Sequence, residues 1–188
     1  GSEMCIRDSG SMLKQQGYTT ALYGKWHVGL TFFDKGGKPI LKNGLEPVKQ
    51  IDYSRPITDG PLHRGFDHFF GTACCPTTDW LYAYIDGDRI PVPPTKIVDR
   101  TPLPKHPYSR DNRPGMIAPG FDLEEVDMVF LQKSIEFLVL NFPSQAVFQN
   151  LFLDRIEGVS RKKAEVKGQT DGQRPKHAVG DLSIHFSK

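Results

Sequence analysis

The stretch GYTTALYGKWHVG, Gly17 to Gly29, decides how the chain is read. Tyr18 to Tyr23 is rich in aromatic and branched residues and predicts a short β-strand, with Gly24 allowing a sharp exit. Lys25, Trp26 and His27 follow at the carboxyl end of that strand. On extended backbone, residues two apart share a face, so Lys25 and His27 should project together while Trp26 turns the other way and braces the loop. Immediately upstream, Gly10 to Gln16 reads as the last turns of a helix stopped by Gly17. Helix, glycine, strand, loop is the order in which α/β sheets present side chains at the carboxyl ends of their strands.

The two projecting groups have complementary chemistry. Lys25 supplies a fixed charge and three donors, suited to the oxygens of a sulfate or phosphate. His27 can pass a proton near neutral pH. Together they suit chemistry on an anionic ester, although a surface lysine beside a structural histidine is the commoner meaning of such a pair taken alone.

Working outward, 188 residues with 38% hydrophobic content and a net charge of +2 suit one globular domain or part of a larger one. That charge gives no electrostatic footprint for nucleic acid. No apolar run reaches the roughly 18 residues of a membrane-spanning helix. Eighteen glycines and fifteen prolines, concentrated between Gly36 and Gly120, predict loops and short strands through the middle.

Thr31 to Asp59 reads as a long polar excursion, and GFDHFFG, Gly65 to Gly71, as the apolar segment that anchors it to a core. WLYAYIDGDRIPVPPT, Trp80 to Thr95, predicts a hairpin around Asp86-Gly87, a pair suited to a type I′ turn. Pro91, Pro93 and Pro94 confine its second arm to an edge or a short strand. Arg100 to Gly120 is expected to be proline-punctuated loop. The clearest helix is Leu123 to Asn141, capped by Asp122 with Glu125 at capping-box spacing, apolar at Met128, Leu131, Ile135, Leu138 and Phe142, and ended by Pro143.

Both ends of the chain read differently from the middle. GSEMCIRDS, residues 1–9, is what a transposon-type sequencing-library adapter encodes when translated, so it is set aside as a read-through scar, with the natural protein expected to begin upstream. Residues 143–188 are expected to be a tail, out of the native frame or disordered, with no sustained period from Leu151 onward, a basic binding segment being the alternative. Setting aside Cys5 leaves Cys74 and Cys75, which are adjacent and imply no disulfide framework.

The string LKQQGYTTALYGKWHVG closely resembles the second signature of the sulfatase family, roughly G-Y-x-T-x-x-x-G-K-W-H-x-G. PLHRGFDHFFG, YAYIDGDRI and APGFDLEEV resemble the segments downstream of that signature in bacterial arylsulfatases, and they occur in the same order. The resemblance spans Gly10 to Phe142 and implies part of the family's N-terminal catalytic domain. The implied fold is a partial, incomplete α/β domain of the alkaline-phosphatase-like kind, a mixed sheet flanked by helices. The implied activity is hydrolysis of sulfuric esters, on sulfated carbohydrate or aryl sulfate, by an enzyme exported to the periplasm or secreted in its full-length form.

The resemblance also implies one Ca²⁺ and a formylglycine made from the cysteine of a C-x-P-S-R motif. The hydrated aldehyde attacks sulfur, the alcohol leaves, and a histidine base helps expel sulfate from the covalent intermediate. Carried over, Lys25 would contact the sulfate and the formylglycine, and His27 would bond the formylglycine hydroxyl and serve as that base.

Other parts of the pattern are missing. The sequence has no Asp-Asp pair and no late Asp-Asn or Asp-Gln pair, so no metal ligand is assigned, and the nucleophile motif is expected upstream. Cys74-Cys75-Pro76-Thr77-Thr78 contains C-x-P but lacks the arginine and comes after the GKWH segment instead of preceding it; its cysteines read as small thiols near a substrate-side loop. SQAVF, Ser144 to Phe148, resembles a family stretch in which Phe148 stands where a leaving-group acid, a histidine, is expected. Asp79, beside Trp80, is a candidate for a sugar-binding rim, while His63 and His68 read as structural and His106, His177 and His185 carry no assignment.

Two rival readings stay open. One is a phosphoester hydrolase of the same superfamily; the other is a non-catalytic glycan-binding module that uses the basic tail.

Overall fold

The computed structural model describes residues 2–76, 78–99 and 112–141, with side chains from residue 8 onward. Pro143, the Ser144 to Phe148 stretch, His106, His177, His185 and the expected tail lie outside the described residues, as does the end of the last helix at Phe142. The architecture is mixed α/β, with helices and small mixed sheets.

Helix α1, Ser2–Gln15, ends where Gly17 takes a positive φ of 81° and its N–H bonds back to the Lys14 carbonyl. The helix therefore continues upstream through residues for which the sequence offered no structural role. Strand β1, Ala21–Lys25, begins three residues later than expected and runs through Gly24. The delay has a local cause in Thr20. Its N–H and hydroxyl both bond to Asp67 Oδ2, at 3.0 and 2.9 Å, and the hydroxyl also lies 2.8 Å from the Gly65 carbonyl. Lys14 closes the knot by reaching Asp67 Oδ1 at 2.6 Å.

The polar excursion has more structure than its composition suggested. Strands β2, Phe32–Phe33, and β3, Pro39–Ile40, form an antiparallel pair, and the short helix α2 spans Leu45–Lys49. Val48, Ile51 and Ile57 bury this segment against the core. A 3₁₀ turn at Pro61–Arg64 leads into β4, His68–Thr72, the central strand of the first sheet.

Strand β4 runs parallel to β1, with Ala21 opposite His68 and Lys25 opposite Thr72. At the middle of this seam Gly24 faces Gly71, and a Cβ on Gly71 would land on the Gly24 carbonyl oxygen. Absent side chains there let the two backbones approach closely.

Strands β5, Leu81–Tyr82, and β6, Ile85–Asp86, both fall in the first arm of the expected hairpin and belong to different sheets. β6 pairs antiparallel with β4, completing the sheet β1-β4-β6. β7, Lys96–Ile97, and β8, Met116–Ile117, complete the second sheet in the order β5-β8-β7. The turn itself is present, shifted by one residue: Asp86 and Arg89 exchange backbone hydrogen bonds at 2.8 and 3.1 Å. Of its two central residues only Gly87 has a positive φ, 62°, which matches type II′ and not I′. β7 follows the prolines as an exposed edge strand, and β8 falls inside the segment expected to be loop.

Helix α3, Val126–Asn141, starts after a turn in which the Asp122 carboxylate accepts from the Glu124 N–H at 2.9 Å. Its packing face agrees with the periodicity at Ile135 and departs from it at Leu138. Val126 and Ile135 are buried, Leu138 is exposed, and Phe137 lies against Tyr23 and His68 with ring centroids 5.9 and 4.9 Å away. Tyr84, between the two sheets, stacks on Phe70 at 5.3 Å and meets Phe121 at 4.6 Å and Phe130 at 6.2 Å.

Candidate functional site

The parallel pairing of β1 and β4 continues past both strand ends. Trp26 donates its N–H to the Thr72 carbonyl at 3.0 Å, and His27 donates to the Ala73 carbonyl at 3.1 Å. The two exit loops thus leave side by side, one carrying Lys25 and His27 and the other Cys74 and Cys75. Carboxyl ends of neighbouring parallel strands are where α/β sheets build sites.

Trp26 is 4% exposed, its Nε1 donates to the Gly29 carbonyl at 2.7 Å, and its ring meets Phe66 edge-on at 6.2 Å. Lys25 and His27, on either side, are exposed. His27 has a left-handed backbone, φ 58°, one of two described non-glycine residues with a positive φ. A conformation of this kind costs on the order of 1 kcal/mol or more and is held here by the backbone bond to Ala73 and the buried indole beside it.

Both exposed groups converge on one sulfur. Lys25 Nζ lies 3.4 Å from Cys75 Sγ, and His27 Nδ1 lies 3.9 Å from the same atom. Cys74 and Cys75 are free, half-buried thiols. Their loop is held by the Thr72 hydroxyl, which donates to the Cys74 carbonyl at 2.7 Å, and by the Thr78 N–H, which donates to the Cys75 carbonyl at 3.2 Å. Burial pushes the Cys74 thiol up from its ordinary pKa, and the Asp79 carboxylate and the Cys75 thiol push the same way.

Asp79 closes this end of the sheet. Its Oδ1 accepts from the Trp80 N–H at 2.8 Å. Burial raises its pKa, while the Trp80 N–H and the charges of Arg113 and His27 act in the opposite direction. Arg113 lies over the Trp80 ring, 5.4 Å from its centroid, and its backbone N–H and carbonyl both bond to the hydroxyl of Tyr82, which is 0% exposed. Of the other histidines described, His63 is exposed in the 3₁₀ turn and the His68 ring rests on Phe137.

The sequence pattern thus paired Lys25 with His27, set Asp79 on a substrate rim and the cysteines near a substrate-side loop, but did not bring Cys75 into contact with the first two or Arg113 to Asp79. A signal for the cysteines was present: YGKWH and FGTAC each leave a strand through a glycine, and equal spacing from Gly24 and Gly71 puts Cys74 in step with His27, with Cys75 the next residue.

Calcium takes six to eight oxygen ligands. Among the described residues, the three-residue group able to hold a metal is His27, Cys74 and Cys75, a nitrogen and two sulfurs. This donor set does not fit calcium.

No family model matches the chain. Over 60 residues it is 37% identical to steryl-sulfatase of Homo sapiens, a match covering 32% of this chain. The chain spans only 7% of that relative's length. A solved protein of Bacteroides thetaiotaomicron, described with the metabolism of multiple glycosaminoglycans and designated 6S-sulf, superimposes over 69% of this chain and 30% of its own, with a TM-score of 0.45 and 20% identity. Part of the chain is therefore similar to a sulfatase. No helix among the described residues is long and apolar enough to cross a membrane.

Proposed function

We propose that this chain is part of the catalytic domain of a sulfuric ester hydrolase of the alkaline-phosphatase-like kind, in which Lys25 holds the anion and His27 moves the proton. The observation that carries the reading is the joint exposure of these two side chains beyond the end of β1, with Trp26 buried between them. The partial similarity to a steryl-sulfatase supports it.

An ammonium at the exposed strand end donates to the equatorial oxygens of a sulfate and offsets their charge. An imidazole beside it takes up or returns a proton as the ester bond breaks and sulfate departs. Asp79 and Arg113, one step further along the rim, are placed to orient the alcohol portion, for which sulfated carbohydrate is the proposed class. The nucleophile is proposed to be a formylglycine supplied from a segment preceding Gly10, and the protein to act after export.

The test is hydrolysis of an aryl sulfate against the matching aryl phosphate by the protein with its preceding segment restored. Preference for the sulfate ester supports the reading. Preference for the phosphate moves the same two residues to phosphoryl chemistry. Turnover of the sulfate that persists after Lys25→Ala and His27→Ala together removes them from the reaction.

A further inference from the structure

We propose that His27, Cys74 and Cys75 form a binding site for a thiophilic divalent cation of the zinc and cadmium class. Their ligand atoms all lie within 4.8 Å of one another. In a tetrahedral zinc site, with sulfur about 2.3 Å and nitrogen about 2.0–2.1 Å from the metal, the sulfur–nitrogen edge is roughly 3.6 Å. The Cys75 Sγ to His27 Nδ1 separation is 3.9 Å, so a few tenths of an ångström of closure bring that edge to coordination geometry.

The site is built by the fold. The bonds from Trp26 to Thr72 and from His27 to Ala73 tie the histidine loop to the cysteine loop, and those from Thr72 to Cys74 and from Thr78 to Cys75 shape the cysteine turn. His27 is exposed and both cysteines are half-buried and free, so an ion can enter from solvent. Two sulfurs and one imidazole select a borderline or soft cation over a hard one, and leave a fourth position for water.

On binding, each thiol gives a proton to solvent and a metal–sulfur bond forms in its place. The two thiolates then neutralise the dication. Lys25, 3.4 Å from Cys75 Sγ, does not face an uncompensated cation and can go on donating to the coordinated sulfur. The proposal needs no substrate for its readout, so it stands or falls apart from the sulfate-ester reading.

The experiment is titration of the reduced 188-residue chain with Co²⁺, followed by absorption and then by displacement with Zn²⁺. Expected are one Co²⁺ per chain, the intense visible bands of a tetrahedral ion, a thiolate-to-metal charge-transfer band, and bleaching of the visible bands by Zn²⁺. Cys5→Ser should leave the titration unchanged, while Cys74→Ser and Cys75→Ser should each weaken binding by at least about tenfold. His27→Gln should shift the visible bands and keep the charge-transfer band. Absence of tetrahedral bands in the unsubstituted chain overturns the proposal, as does unchanged binding in the Cys74→Ser/Cys75→Ser pair or equal affinity in the urea-unfolded chain. Should a cysteine variant fail to fold, alkylation of the unsubstituted chain decides instead: Zn²⁺ should slow modification of Cys74 and Cys75, and unaltered rates at both overturn the site.

Discussion

His27 Nδ1 lies 3.9 Å from Cys75 Sγ although 48 residues separate them in the chain. The contact is set by backbone register: Gly24 sits opposite Gly71, the next residues pair in step, and the two exit loops stay bonded for two residues beyond the strands. An exposed histidine thereby acquires a fixed neighbourhood of one ammonium and two thiols.

Removing either exposed group should affect turnover, not folding. In the protein with its preceding segment, His27→Ala should lower kcat toward a sulfate ester by about 10²–10⁴-fold, the usual range for a general acid–base group. Lys25→Arg should recover only part of what Lys25→Ala loses, because a planar fork does not replace a point charge on a flexible stem. Steady-state kinetics beside thermal melting separates the two effects, and a Lys25→Ala enzyme with unchanged kcat and KM would clear that residue of any role.

The seam between β1 and β4 should tolerate no side chain at its centre. Gly71→Ala puts a methyl group onto the Gly24 carbonyl oxygen and should destabilise the chain by about 3 kcal/mol or more. Urea unfolding measures the loss.

The Tyr82 hydroxyl serves two backbone groups of Arg113. Tyr82→Phe keeps the ring in its buried place but strips the Arg113 N–H of the hydroxyl that accepts from it, while the Arg113 carbonyl keeps the Gly115 N–H, which should cost about 1–3 kcal/mol. Stability before and after substitution tests this, and a neutral result would mean that water replaces the hydroxyl.

Acid should weaken the knot at the end of α1. The Lys14 ammonium first, then the Thr20 N–H and hydroxyl, hold Asp67 down to about 2 from an ordinary 3.8. A carboxylate lowered on folding contributes stability that is fully present above its unfolded pKa and is lost as pH falls through the folded value. The urea midpoint should therefore decline between about pH 4 and pH 2. Asp67→Asn should start lower at neutral pH and show a shallower decline over that window.

How much of this could be read from sequence depended on whether the deciding contact was local. The exposure of Lys25 and the burial of Trp26 follow from alternation on extended backbone, whereas His27 leaves that backbone at φ 58° and is held by its bond to Ala73. The start of β1 needed Asp67, distant in sequence, to occupy Thr20. The turn at Gly87 was readable, but the partners of its first arm were not, because β5 pairs with Met116–Ile117 and β6 with Phe70–Gly71, both remote in sequence, while Asp86 meets the second arm at Arg89. Two-residue strands such as β8 leave too short a period to detect among prolines. The working face of α3 was hidden because much of the helix is apolar, and Phe137 found Tyr23 and His68 through tertiary packing.

Tyr84 touches rings from β4, from the segment after β8 and from α3. The two three-stranded sheets are built of strands only two to five residues long, and this ring is common to the packing of both. Heat should therefore take the two sheets apart in a single cooperative transition, with slowly exchanging amides in β4 and β8 lost at the same temperature.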